Sequence, residues 1–262
     1  MRGSRHVLVS LVGAGPGDPE LLTLGALRRL EEAEVVVHDA LVSAEILALC
    51  ASGARRIDAG KRAGHRGPSQ EWINALLVSE ARAGRRVVRL KGGDPFLFGR
   101  GGEEAQALTR AGVPWEVVPG VSSALAVPAY AGIPLTHRGV SASVAVVPGH
   151  LAAGAEAVDW AALNPVQTLV VLMAGSRVAE ISRALLEGGR PASCPVAIVQ
   201  RGTLADQKTR VSTLGALARR GDRERVVTPA LLVVGEVVRL AGELGGWRDA
   251  LAGWESPDAR TA

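Results

Sequence analysis

Two glycine-rich segments hold the residues best suited to chemistry. The longer is Arg89–Glu104, RLKGGDPFLFGRGGEE, with five glycines, one proline and two aromatics. Adjacent Gly92 and Gly93 lack Cβ atoms, so backbone there can lie against a ligand or take positive φ. Asp94 before Pro95 favours an extended turn. Glu103 and Glu104 fall in the first turn of a helix starting near Gly102, where the helix dipole favours acids. Val87–Leu90 reads as the strand before it. In a parallel sheet, ligand sites gather at the carboxyl ends of strands. Two readings fit: a loop that approaches a bound ligand, or an ordinary strand-to-helix turn whose glycines serve packing.

The shorter segment is Val12–Leu27, VGAGPGDPELLTLGAL. GxGxG after a strand invites a dinucleotide-binding reading, but Pro16 and Gly17 break the GxGxxG fingerprint. Asp39 comes close to the acid that would hold a ribose, yet it starts a loop in HDALV. The five histidines show no HxxxH or HExxH spacing, so no metal site is expected. Cys50 and Cys194 form no CxxC, which fits a reducing cytoplasm.

The chain has 262 residues, 47% of them apolar, enough to build a substantial core. No apolar run approaches the roughly 18 residues of a membrane span. The basic-then-apolar start MRGSRHVLVSLVGAGPG runs straight into a glycine turn and reads as a first strand, not a signal peptide. Net charge is +4, and of 30 lysines and arginines only Lys61, Lys91 and Lys208 are lysine. Arginine suits carboxylate and phosphate recognition, although coding bias also accounts for its abundance. With 3% aromatics and no lysine-rich tract, nucleic-acid binding is not expected.

These segments need elements to position them. Strands are expected at 6–12, 35–38, 55–58, 86–90 and 115–118. Helices are expected at 19–32 behind an Asp18 cap, 43–49, 69–83 and 121–131. Trp72, Ile73, Leu76, Leu77 and Ala81 form the apolar stripe of the helix at 69–83. Composition changes around Gly132–Gly139, taken as a hinge. Beyond it strands are expected at 143–147, 168–173, 195–199, 209–212 and 230–234, with helices at 176–187 and 214–220. The first half reads as mostly parallel α/β and the second as mixed α/β. The expected domains are 1–137 and 138–246, followed by a tail at 247–262 that is frayed from about Gly253.

VGAGPGD, HDALVS, GKRAG, RLKGGDPFLFGRGGEE, VVPGVSSA and AYAGIPLTHR occur in order with loop-like spacers. The set resembles the tetrapyrrole methylase family, from about Val7 to Val238, and within it the branch acting on uroporphyrinogen III. GKRAGH and GDPFLFGRGGEE are its most specific parts. The resemblance implies two α/β domains with S-adenosyl-L-methionine in the cleft between them, and a cytoplasmic homodimer. It implies two methylations of uroporphyrinogen III, at C2 and C7, giving precorrin-2 and S-adenosyl-L-homocysteine. A sibling precorrin methyltransferase of the corrin pathway is the alternative, and a fold-retaining binding module a third reading. No segment resembles a siroheme-type dehydrogenase or ferrochelatase, so later steps are expected to need other proteins.

Residue roles follow from the same resemblance. Pro16, Gly92, Gly93, Asp94 and Leu97 are expected at the cofactor, with Ser122 and Ser123 standing where relatives often carry Thr-Ala. Met173, Gly202, Thr228, Pro229 and Ala230 match further cofactor positions, although Met173 also reads as a core residue ending a strand. Asp39 is the candidate proton acceptor and Lys61 the candidate donor, with a mutual salt bridge as the alternative. Arg62, Arg66, Arg100 and Arg138 are candidates for the substrate's eight carboxylates, or else solvated surface charges. His38 stands where tyrosine is common, and HRGPSQE, LMAG and VVPGH also depart from the usual runs.

Overall fold

The computed structural model describes residues 9–60, 67–150, 158–220 and 226–245. Contacts divide it into two compact units, meeting in the chain between Ser123 and Ala124. The expected start of the first strand at His6–Leu8, the GKRAGH segment from Lys61 onward, and the tail all lie outside the described residues.

The first unit is built on five strands: β1 (Val9–Gly13), β2 (Val35–His38), β3 (Arg55–Asp58), β4 (Val87–Lys91) and β5 (Trp115–Val118). They form one sheet in the order β3-β2-β4-β1-β5, and every pairing is parallel. Helices α1 (Leu24–Glu32), α2 (Ala44–Ala48), α3 (Gln70–Arg82) and α4 (Gly101–Arg110) connect them. Strand alternation sends side chains to two covers. Val9, Leu11, Val35, Val37 and Val87 pack with Ile73, Leu77, Ala105 and Leu108 of α3 and α4. Val12, Val36, Val88 and Leu90 pack with Ala26, Leu30 and Ile46 of α1 and α2. β4 is the middle strand and is buried along its whole length.

Serine and threonine caps start three of these helices. Thr23 accepts from the Ala26 amide (3.1 Å), Ser43 from Ile46 (3.3 Å) and Ser69 from Trp72 (3.2 Å). Thr23 also corrects the expected helix over 19–32. Asp18 caps only a 3₁₀ turn at Pro19–Leu21, Leu22 turns extended, and α1 begins afresh behind Thr23.

In α3 the buried stripe is Gln70, Ile73, Leu77, Glu80 and Ala81. Trp72, counted into the apolar stripe from spacing, is 45% exposed. The helix therefore turns two polar residues inward and one large apolar residue outward.

The second unit is mixed. Its strands β6 (Val144–Pro148), β7 (Thr168–Leu172), β8 (Pro195–Gln200), β9 (Lys208–Thr213) and β10 (Ala230–Val234) run in the order β6-β7-β10-β8-β9. Only β6 and β7 are parallel; the other three pairings are antiparallel. Before the sheet comes α5 (Ser123–Tyr130), within it α6 (Val178–Glu187) and α7 (Leu214–Arg220), and after it a short α8 (Ala241–Leu244). Val178, Ile181, Leu185, Leu214 and Leu217 cover one face. Ala124, Val127, Val237 and Val238 cover the other.

One inward and one outward residue of α3 make a test. Leu77→Ala should cost about 2–5 kcal/mol through the cavity it leaves, and Trp72→Ala no more than about 0.5 kcal/mol. Urea unfolding followed by circular dichroism measures both. Equal losses would contradict the inward assignment of Leu77 and the outward one of Trp72.

Candidate active site

Four loops meet at the carboxyl edge of the first sheet. Gly15 and Gly93 exchange backbone hydrogen bonds, 2.7 Å from Gly93 N to Gly15 O and 3.2 Å in return. The Ala14 amide donates to the Lys91 carbonyl (2.7 Å), and Ser43 Oγ donates to the Gly17 carbonyl (3.3 Å). Asp94 ties in the loop after β5: its Oδ2 accepts from the Gly120 amide (3.1 Å), while Oδ1 accepts from Phe96 N (2.9 Å).

Two glycines make this convergence possible. A Cβ on Gly120 would lie 2.3 Å from the Gly93 carbonyl oxygen, and one on Gly13 2.5 Å from Gly120 Cα. Their first duty is backbone against backbone. Gly92 differs, since among the described residues a Cβ there would meet only Leu41 Cβ, at 3.5 Å. Gly93 takes φ +66°, and a Cβ on it would approach Ser122 Cα and Ser123 N at 3.9 and 3.8 Å. Gly92, Gly93, Asp94, Ser122 and Ser123 thus come together, with half-buried Pro16 in the adjoining loop. Leu41 is 64% exposed and Leu97 37% exposed. Among the described residues, a glycine strip with open space before it and apolar Leu41 beside it fits a nucleoside-bearing methyl donor.

Asp39 sits just past β2, its amide donating to the Leu90 carbonyl (3.1 Å). Its described charged partner is Arg89, whose Nη2 lies 2.5 Å from Oδ1. The Asp39 side chain is still 30% exposed. The pairing expected with Lys61 falls outside the described residues, as do Arg62 and Arg66.

Arg89 belongs to a group that sequence reasoning missed. In β4, Arg89 and Lys91 follow Val87 at alternate positions and so face α3 and α4. They are each 2% exposed. Glu104 of α4, with no exposure, accepts through Oε1 from Arg89 Nε (2.9 Å), Lys91 Nζ (3.1 Å) and Gln70 Nε2 (3.2 Å). Glu104 Oε2 has no partner among the described residues. Burial works against the Arg89 guanidinium, but the charges of Asp39 and Glu104 outweigh it and hold its pKa above the usual value. Burial, helped by the Arg89 charge, pushes the Lys91 ammonium below its usual pKa despite Glu104. The signal available in sequence was two cations two residues apart in an otherwise apolar strand.

Arg100 takes φ +59° at the start of α4, with its guanidinium forked on Glu103 (2.8 and 2.7 Å). That hydrogen bonding raises its pKa. A Cβ on the next residue, Gly101, would sit 2.4 Å from the Pro95 carbonyl, which explains why glycine follows.

The second unit gathers its own candidates at one edge of its sheet. Met173 follows β7 in a turn at φ +56° and is 50% exposed, so it is not the strand-ending core residue of the alternative reading. Thr228 packs beside Gly175, whose Cβ would meet its Cγ2 at 3.2 Å. The Pro229 carbonyl, before Ala230 in β10, accepts from the Arg201 amide (2.8 Å). A Cβ on Gly202 would collide with Val127 Cγ1 at 2.3 Å, so packing demands glycine there. Arg138 is exposed in the turn between His137 and Ser141. Among the described residues, no three His, Cys, Asp or Glu side chains form a metal-binding group.

Comparison with known proteins fits this geometry. The tetrapyrrole (corrin/porphyrin) methylase family matches residues 8–218. A siroheme synthase of Azotobacter vinelandii is 53% identical over 237 residues, 90% of this chain and 51% of that protein. One from Methylococcus capsulatus is 50% identical over 242 residues, 92% and 51% respectively. The chain therefore spans about half the length of these curated relatives. Among solved structures, the uroporphyrin-III C-methyltransferase of Thermus thermophilus complexed with S-adenosylhomocysteine is 46% identical. It superposes with a TM-score of 0.78, covering 88% of this chain and 99% of that one. A cobalt-precorrin-4 methyltransferase of cobalamin biosynthesis matches with a TM-score of 0.76 at 26% identity, over 88% and 95%. With two sheets of these topologies, a glycine-lined strand edge and a family match over most of its length, the chain belongs to the tetrapyrrole (corrin/porphyrin) methylases.

Proposed function

We propose that this protein is an S-adenosylmethionine-dependent C-methyltransferase that converts uroporphyrinogen III to precorrin-2 by methylation at C2 and C7. One observation carries the reading: a buried arginine holds a solvent-accessible carboxylate, Asp39, at the same sheet edge as the open Gly92–Gly93 strip. The likeness to the Thermus enzyme over 99% of its length supports the substrate, and its bound S-adenosylhomocysteine supports the cofactor. The corrin-pathway relative has a comparable fold but lower identity, which favours uroporphyrinogen III over a later precorrin.

When bound, S-adenosylmethionine supplies an electrophilic methyl group. The protein's part is orientation and proton handling. Gly92, Gly93, Ser122 and Ser123, with Pro16, Asp94 and Leu97 around them, would hold the donor. Met173, Gly202, Thr228, Pro229 and Ala230 are proposed as further cofactor contacts. A macrocycle methylated at a ring carbon would have a proton to lose. Asp39 would accept it, held in place by Arg89, and Lys61 is the proposed donor for tautomerisation of the ring, in which one ring atom gains a proton as another loses one. Arg62, Arg66, Arg100 and Arg138 would meet the propionate and acetate side chains. For Arg100 this means exchanging its Glu103 partner for a substrate carboxylate. A homodimer working in the cytoplasm belongs to the same proposal. Among the described residues no helix is long and apolar enough to cross a membrane.

Incubation with uroporphyrinogen III and methyl-labelled S-adenosylmethionine should yield a product carrying two added methyl groups, read by mass spectrometry. Transfer to a later precorrin alone would reassign the substrate. Asp39→Ala and Lys61→Ala should each lower kcat at least about 100-fold. Calorimetric affinity for S-adenosylhomocysteine should stay near that of the wild type. A matching loss of affinity would make these residues structural.

A further inference from the structure

We propose that Glu104 is a positioning residue for Asp39, acting through Arg89. The proposal rests on Asp39 as the proton acceptor and goes on to say what aims it.

The geometry is a fork. Arg89 places Nε on Glu104 and Nη2 on Asp39, while Nη1 donates to the Val37 and Leu90 carbonyls at 3.3 and 3.4 Å. All three guanidinium nitrogens are therefore engaged, and a planar guanidinium so held has one orientation. Of its two carboxylate partners, Glu104 is sealed from solvent and Asp39 is not. The sealed end fixes the guanidinium, and the guanidinium then fixes the exposed end. Glu104 is itself held on three sides, since Gln70 and Lys91 donate to the same Oε1 as Arg89.

The surrounding charges are balanced by element. β4 contributes Arg89 and Lys91, α4 contributes Glu104, and the loop after β2 contributes Asp39. Gln70 of α3 adds a neutral donor, and His38 lies next to Asp39 with Nδ1 3.2 Å from its carbonyl oxygen. A burial role alone would need only Glu104 and Lys91. The second cation, bridging outward to a half-open carboxylate, is what an orientation role adds.

Glu104→Gln keeps the side chain's size and removes the charge that anchors Arg89. It should lower kcat for methyl transfer about 10- to 100-fold, with the KM for uroporphyrinogen III and the affinity for S-adenosylhomocysteine within about threefold of wild type. In an Asp39→Asn background the same change should cost nothing further, because the group it acts through is gone. Additive losses in the double variant would overturn the proposal, as would a Glu104→Gln enzyme of undiminished kcat beside a crippled Asp39→Asn. Should Glu104→Gln fail to fold, Arg89→Lys serves. It keeps the charge but cannot span both carboxylates, so kcat should fall with cofactor affinity unchanged, and full activity would overturn the proposal. Full activity of Asp39→Asn itself would instead remove the reading of Asp39 as proton acceptor, and this proposal with it.

Discussion

The carboxylate of Glu104, shut away from water, is the constraint around which the first unit is arranged. A buried charge is tolerated only when it is paired and hydrogen-bonded. Its partners come from two other elements: Arg89 and Lys91 from the middle strand, Gln70 from the first turn of α3. Meeting that demand fixes α3 and α4 against β4 in register as well as in distance. Apolar packing from Ile73, Leu77, Ala105 and Leu108 could tolerate a shift; a three-donor carboxylate cannot. Through Arg89, the constraint reaches past the sheet to Asp39.

Glycine performs a complementary task at the strand ends. Gly13 and Gly120 let backbones approach where any side chain would collide, and Gly93 supplies the positive φ that the turn beside them requires. The Gly15–Gly93 exchange and the Asp94–Gly120 contact then lock the loops together. What remains open among the described residues is the neighbourhood of Gly92, beside exposed Leu41. A motif dense in glycine thus divides into residues that close the frame and residues that leave room for a ligand.

Much of this frame was legible in the residues. β2, β3, β5, β10 and α7 have the expected bounds; in β2 and β10 short apolar runs stop at Asp39 and Gly235. The parallel first sheet and mixed second sheet also follow from the pattern of strands and helices. The helix over 19–32 was misread because Asp18 looked a sufficient cap, and Thr23 competes with it at the next turn. Trp72 was misplaced because spacing ranks residues by hydrophobicity, while Gln70 and Glu80 are drawn inward by ionic partners. At the site, the loops were legible from glycine, while the role expected of Asp39 came from the family resemblance and not from its spacing. Arg89, Lys91 and Glu104 were not. A charged residue in a short strand reads as solvent-facing until the sheet order shows that β4 lies in the middle, covered on both faces.

A crystal structure with S-adenosylhomocysteine bound tests the central claim most directly. The account predicts the ligand against the Gly92–Gly93 backbone with Ser122 and Ser123 behind it, and Asp39 still on Arg89 beside the sulfur. A ligand seated away from Gly92–Gly93, or an Asp39 turned from Arg89 toward solvent, would contradict it.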